Sequence, residues 1–349
     1  MKKLIQLIIN SGYTIIYPQV DEFLGIDFPQ LNCFHSLKNE SKTVKNTGQF
    51  LKSNLKFISQ EFKPPIAIMP FKPSAKTEKI CQKQNWLVLS NPAKLNRLLE
   101  DKIKFSQLCH QHKLPTIPHL VAPLDQENFL LAQKKFGPKL VLQTHFGWAG
   151  NSTFYFESYQ EIANKISPNT LCKFSPYLEG YTLINNCCQT KFGLIQSPVG
   201  RQLTGLKEYT QNPFATVGRQ WPSLAPQSVI NQVVEVTKLL SDKLLKKYDY
   251  RGFFGIDFFV HQNRVMILEI NPRLTASFGF YTKLETDNNI TPLFLFHLAE
   301  FLNLDYQVDF DREQSRTDSS LIVGTEITPK DKFGKTIAQY HQTSPIIKD

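Results

Sequence analysis

Residues 251–273 read RGFFGIDFFVHQNRVMILEINPR, two apolar runs on either side of a polar break at His261 to Asn263. Such a pattern predicts a β-hairpin, with FFGIDFFV as one strand and RVMILEI as the other. A carboxylate among so many apolar neighbours is costly to desolvate unless a cation or a hydrogen-bonding set receives it, so Asp257 and Glu269 need partners. They lie twelve positions apart, a spacing read here as bringing both to one face, and Asn271 has the same parity. Asp, Glu and Asn together form an oxygen-donor set. Oxygen ligands suit hard cations, and Mg²⁺ commonly completes its octahedron with waters and phosphate oxygens. Arg273 continues the parity and would set a fixed positive charge beside those phosphates.

The two series G-x-D-F (255–258) and L-E-I-N-P-R (268–273) resemble the magnesium-binding end of the ATP-grasp superfamily, the carboxylate-amine ligases and biotin-carboxylase-like enzymes. The resemblance implies an α/β chain, α+β in its nucleotide-binding part, with the ATP-grasp fold preceded by a small open α/β domain. It implies ATP and Mg²⁺ as cofactors, two ions with Mn²⁺ as a substitute. Asp257 and Glu269 would hold the metal, Glu269 bridging the ions, Asn271 would be a further ligand, and Arg273 would contact phosphate or acyl phosphate.

Other stretches extend the resemblance over about residues 92–280. Asp101 and Lys102 match the family's Asp-Lys pair, whose lysine reaches nucleotide phosphates. GPKLVLQTHFGWAGNSTFYF (137–156) has the form strand, glycine-containing loop, strand. It looks like the ATP-grasp lid, and backbone amides at Gly147 and Gly150, with Asn151 and Ser152, would fold over anionic oxygens as nests do. It is not a P-loop, because no GK[ST] ending is present.

Where many relatives carry a lysine at the end of the entering strand, this chain has Gln143, which brings hydrogen-bonding capacity but no charge. Lys139 lies four positions earlier with the same parity. Weaker nucleotide binding, a compensating arginine and a specialised branch all remain open. KFSPYLEGYTLINN (173–186) resembles the hinge that carries adenine and ribose, with Tyr177 and Leu178 flanking the base and Glu179 placed for ribose hydroxyls. The usual acidic residue four places ahead of Glu179 is Ser175.

Segment 199–223, rich in Gly, Pro, Arg and aromatics without a steady period, reads as a loop able to carry function. Arg201, Lys207, Arg219 and Trp221 are its candidates for receiving a carboxylate and a flat group. Arg201 is the preferred carboxylate grip, so the catalytic set is Arg273, Arg201 and Asn271, and Thr275 to Phe280 reads as a loop lining the acceptor pocket.

The chain has 349 residues, 41% hydrophobic and 20% charged, which suits two or three globular domains. The boundaries expected are 1–91 for the first α/β domain, 92–305 for the ATP-grasp region with its lid at about 115–176, and 306–349 for a C-terminal extension. A net charge of +10 favours anionic partners. No zinc finger, RNA-binding aromatic signature or helix-turn-helix spacing accompanies it, so nucleic acid is set aside. Six cysteines without a CxxC pair suit a reducing compartment, and no apolar run approaches a membrane span, so a cytoplasmic location is expected. MKKLIQLIIN (1–10) reads as a first strand rather than a signal peptide. A single helix is expected from a cap at Asn91 through His112, another over 226–248, and His297 reads as a packed side chain rather than a ligand.

The implied activity is an ATP-dependent carboxylate-amine ligase acting on a small-molecule acid and amine, with a homodimer left open. The alternative from a different class is a nucleotide-binding regulatory or interaction protein with reduced turnover, motivated by Gln143 and Ser175.

Overall fold

A computed structural model describes all residues except 42, 148–151, 319–321, 331–339, 344–345 and 347–349. In chain order the elements are α1 (Lys2–Asn10), β1 (Thr14–Gln19), β2 (Phe34–Lys38), α2 (Thr47–Glu61), β3 (Ile66–Ile68), α3 (Ala75–Gln84), β4 (Leu87–Val88), α4 (Ala93–Glu100), α5 (Lys102–Gln111), β5 (Leu120–Pro123), α6 (Gln126–Phe136), β6 (Leu140–Gln143), β7 (Thr153–Phe156), α7 (Tyr159–Ala163), β8 (Leu171–Pro176), β9 (Tyr181–Thr190) and β10 (Gly193–Gln196). They continue as β11 (Gly200–Thr204), β12 (Thr216–Trp221), α8 (Gln227–Leu240), β13 (Gly252–His261), β14 (Arg264–Asn271), α9 (Phe278–Asp287), α10 (Leu293–Phe301), α11 (Phe310–Gln314), β15 (Gly324–Ile327) and β16 (Tyr340–Gln342).

Three sheets result. The first is parallel, in the order β2-β1-β3-β4, and matches the expected open α/β beginning. A second, antiparallel sheet runs β5-β8-β6-β7 and contains both strands of the predicted lid. The third follows β14-β13-β9-β11-β12-β15-β16, with β10 paired to β9. Its floor is a core of Val229, Val233, Leu240, Phe254, Phe258 and Ile270, so the long helix α8 packs one apolar stripe beneath the hairpin β13–β14. At about 25 cal/mol per Å² of apolar surface removed from water, such stripes supply most of the force holding sheet to helix.

Four expectations are corrected. MKKLIQLIIN is a helix: Leu4 and Ile8, four apart, are buried together against the core that includes α10. Its short apolar run suggested a strand, but the helical spacing decides. The segment expected as one helix from Asn91 to His112 is two, broken at Asp101, whose side chain accepts from the amides of Ile103 and Lys104 at 3.1 Å and caps α5. Asn91 caps nothing; its amide pairs both backbone groups of Arg251 and fastens the entry of β13. The predicted loop 199–223 contains β11 and β12, with Leu203, Val217 and Trp221 buried. Glycines hid these strands; Gly200 and Gly218 are small because Trp221 and the Glu326 carbonyl pack against them. The predicted acceptor loop also turns helical from Phe278 onward.

His297 is packed, as expected. Its Nδ1 accepts from the amide of Phe253 and its Nε2 contacts the carbonyl of Leu89, both at 3.0 Å, and burial pulls its pKa down to about 4. The ring therefore ties the end of the first sheet to the start of β13.

Candidate active site

The hairpin 252–271 turns at Gln262 and Asn263, both with positive φ, and pairs His261 with Arg264. In a regular hairpin with a two-residue turn, directly opposed residues are an odd number apart, so an even separation of twelve places Asp257 and Glu269 on opposite faces. A β-bulge resolves this. Phe258 pairs with Ile267 but Asp257 pairs with Glu269, so Leu268 is the extra residue. Beyond the bulge, Gly255 faces Asn271. The parity argument from sequence thus reached the right juxtaposition only because of a bulge it did not foresee.

Asp257, Glu269, Asn271 and Arg273 line a cleft of about 730 Å³ together with Lys102, Gln143, Gly147, Ser152, Tyr177, Leu178, Glu179 and Arg201. Two cofactor-binding expectations are not among them. Lys139 precedes β6, is exposed, and meets the hinge only through its carbonyl, which accepts from the amide of Tyr177 at 2.9 Å. Gly150, with Asn151, lies outside the described residues.

At the hairpin end the charges interlock. The Lys102 ammonium forms an ion pair with Glu269, and burial lowers its pKa to about 8 against the opposing pull of Asp257 and Glu100. Arg273 donates through Nη2 to Oδ1 of Asn271 and through Nε to Glu100, both at 3.1 Å. Burial would raise the Glu100 carboxyl, but Arg273 and Lys72 outweigh it and hold the group below its ordinary value. Desolvation raises Asp257, opposed by Gln202, Arg219, Lys102 and Arg273. A desolvated carboxylate beside a second one suits a hard cation, for which the amide oxygen of Asn271 would be a third donor. Among the described residues no group of three or more His, Cys, Asp and Glu could hold a metal ion, so a cation at this end of the cleft would need the Asn271 amide oxygen beside the two carboxylates.

At the other end lies the segment 173–186, the expected hinge. His261 at the hairpin turn contacts the Glu179 carbonyl at 2.7 Å, and a Cβ on Gly180 would stand 2.0 Å from the Val260 carbonyl oxygen. Hinge and hairpin are therefore fitted backbone to backbone. Ser175 donates to the Val141 carbonyl at 3.3 Å, and Gln143 donates to Oγ1 of Thr153 at 3.1 Å across the lid. Ser152 Oγ is buried without a hydrogen-bond partner among the described residues, and Gly147 is kept small by it.

Of the candidates in 199–223, Arg201 stacks over the Tyr181 ring at 3.9 Å and lines the cleft. Arg219 lines it too, but its guanidinium bonds the buried Glu326 at 3.0 Å. Lys207 is exposed and outside the lining, and Trp221 is wholly buried with Nε1 donating to the Pro198 carbonyl. Sequence reasoning missed Glu100, which orients Arg273 although it directly precedes the Asp-Lys pair. It also missed His145, whose Nδ1 meets Asp101 at 2.8 Å while its carbonyl accepts from the Lys102 amide. Phe23, Lys173, Asn186, Gln202 and Lys330 are among the other lining residues that the sequence did not mark.

A family model described as the ATP-grasp domain matches residues 99–277. The arginine-specific large chain of carbamoyl phosphate synthase from Geobacillus stearothermophilus is 22% identical over 190 residues, which is 53% of this chain and 17% of that relative's length. Among solved structures, the biotin carboxylase of Campylobacter jejuni, as its β,γ-ATP complex, superposes with a TM-score of 0.64 at 15% identity, covering 94% of this chain and 72% of the other. Phosphoribosylamine–glycine ligase of Thermotoga maritima gives 0.60 at 16% identity, covering 91% and 79%. At these identities the likeness is one of fold.

Proposed function

Because the chain belongs to the ATP-grasp family, we propose that it is an ATP-dependent ligase that activates a small-molecule carboxylate as its acyl phosphate for attack by an amine. The observation that carries this reading is the register pair Asp257–Glu269 with Asn271, Arg273 and Lys102 at one end of a cleft whose other end is the Tyr177–Glu179 hinge. Adenine and ribose fit the hinge, and the triphosphate then extends toward the hairpin.

Asp257, Glu269 and Asn271 would hold Mg²⁺, which supplies Lewis-acid charge neutralisation when bound. The chain's own cations complete the job. Lys102 is a point charge at the first turn of α5, and Arg273, held by Glu100 and Asn271, is a pre-oriented fork for phosphate or acyl-phosphate oxygens. Arg201 grips the substrate carboxylate. A carboxylate oxygen attacks the γ-phosphorus as the bond to ADP breaks; the amine then attacks the acyl carbon, and inorganic phosphate leaves with the former carboxylate oxygen. Strands β6 and β7 form a lid that shields the acyl phosphate from water.

The test is ADP release across a matrix of carboxylic acids and amines, with product mass as the second readout. Stimulation that requires both an acid and an amine supports the reading. ADP release unaffected by every pair, with ATP still bound, favours the nucleotide-binding protein of reduced turnover, a reading that rests on Gln143 and Ser175.

A further inference from the structure

The lid strand that carries Gln143 lies between β7 and β8, and on β8 the residue directly opposite Gln143 is Lys173. Directly opposed residues of neighbouring antiparallel strands project on the same face with their Cβ atoms about 4.5–5.5 Å apart, so Lys173 stands beside Gln143 on the cleft side of the lid sheet. It lines the cleft. The residue is 6% exposed, and among the described residues its ammonium has neither a hydrogen bond nor an ion pair. A buried cation without a partner is costly, and here the charge that acts on it most is that of another cation, Lys102. Gln143, meanwhile, is engaged with Thr153 inside the hairpin.

We propose that Lys173 supplies the phosphate-facing positive charge that Gln143 lacks, the cation of the lid having been moved by one strand. The inference rests on the reading of the cleft as a nucleotide site and adds to it a binding residue for the triphosphate. The geometry explains two observations together: a polar, uncharged residue is tolerated at 143, and an unpaired ammonium is tolerated at 173. Bound phosphate oxygens would neutralise both Lys173 and Lys102, whose mutual repulsion then becomes attraction to a shared anion. Burial, with Lys102 adding to it, lowers the Lys173 pKa to about 8, which accords with a charge awaiting an anionic ligand.

The experiment is calorimetric titration of a nonhydrolysable ATP analogue with Mg²⁺ into the wild type, Lys173→Met, and the swap Gln143→Lys/Lys173→Gln, with thermal unfolding of each ligand-free protein. Loss of a charge-assisted contact predicts a weakening of roughly tenfold or more for Lys173→Met. The swap should recover most of the affinity, and ligand-free Lys173→Met should melt no lower than the wild type. A loss under threefold overturns the assignment. So does a larger loss that the swap fails to restore, or one accompanied by a lower melting temperature, because either marks a structural role. If the wild type itself binds no analogue, the nucleotide reading fails and the inference falls with it.

Discussion

Replacing Lys173 by methionine should change the pH dependence of stability in a calculable way. In the folded chain, burial and Lys102 lower this ammonium from 10.5 to about 8, whereas the unfolded chain keeps the ordinary value. Between those values the unfolded state binds more protons, so stability rises with pH across the window. Below about pH 8 the folded protein carries the full penalty of the buried charge, and above about 10.5 the penalty is gone. At about 1.4 kcal/mol per pH unit the displacement corresponds to roughly 3 kcal/mol. The groups facing Lys173 are Lys102 and Cys109 on α5 and His119 ahead of β5. Deleting Lys173 relieves its repulsion of Lys102, so the two lysines share the effect. Chemical denaturation of wild type and variant at 25 °C, from pH 7 to 10.5, isolates it, because cysteines and tyrosines elsewhere titrate in both proteins. Methionine should be the more stable form at pH 7, with the advantage shrinking by roughly 3 kcal/mol by pH 10.5. A gap that stays constant across the window refutes the argument that Lys173 is a buried, uncompensated cation.

Three further outcomes are expected. Arg201→Ala should raise the KM for the acid substrate by roughly tenfold to a hundredfold, with the affinity for nucleotide unchanged, measured by ADP release and calorimetry. Arg219→Ala should act on stability, because it leaves the buried carboxylate of Glu326 without its guanidinium; a loss of about 3 kcal/mol in urea denaturation is expected, and a loss under 1 kcal/mol contradicts it. Gly180→Ala drives a methyl into the Val260 carbonyl, so the hinge must move off β13; nucleotide affinity should drop about tenfold, and unaltered affinity would show that the hinge position is not set there.

The hairpin at 252–271 was legible because apolar runs, a polar break and two stranded carboxylates each point the same way. Its bulge was not, since nothing in ILEIN marks Leu268 as the residue without an opposite number. The first helix was misread because its apolar run is short while only Leu4 and Ile8 reveal the helical period. Strands β11 and β12 were hidden by glycines that serve close packing rather than turns. Lys173 was invisible for a different reason. It lies thirty residues beyond Gln143, and only the register of β6 with β8 makes them neighbours. Glu100, by contrast, sat in plain view before Asp101 and Lys102, but its role depends on where Arg273 comes to rest.

The central claim is that Asp257, Glu269 and Asn271 build a metal–nucleotide site, and Glu269→Gln tests it most directly. The substitution keeps the shape, removes a charge and leaves Lys102 without its ion partner, so circular dichroism must first show an intact fold. Calorimetric titration of a nonhydrolysable ATP analogue, with and without Mg²⁺, then compares variant and wild type. The wild type should bind at least about tenfold tighter with Mg²⁺, a difference of about 1.4 kcal/mol, and the variant should lose that enhancement. Nucleotide affinity that is indifferent to Mg²⁺ in the wild type, or an enhancement that survives in Glu269→Gln, would contradict it.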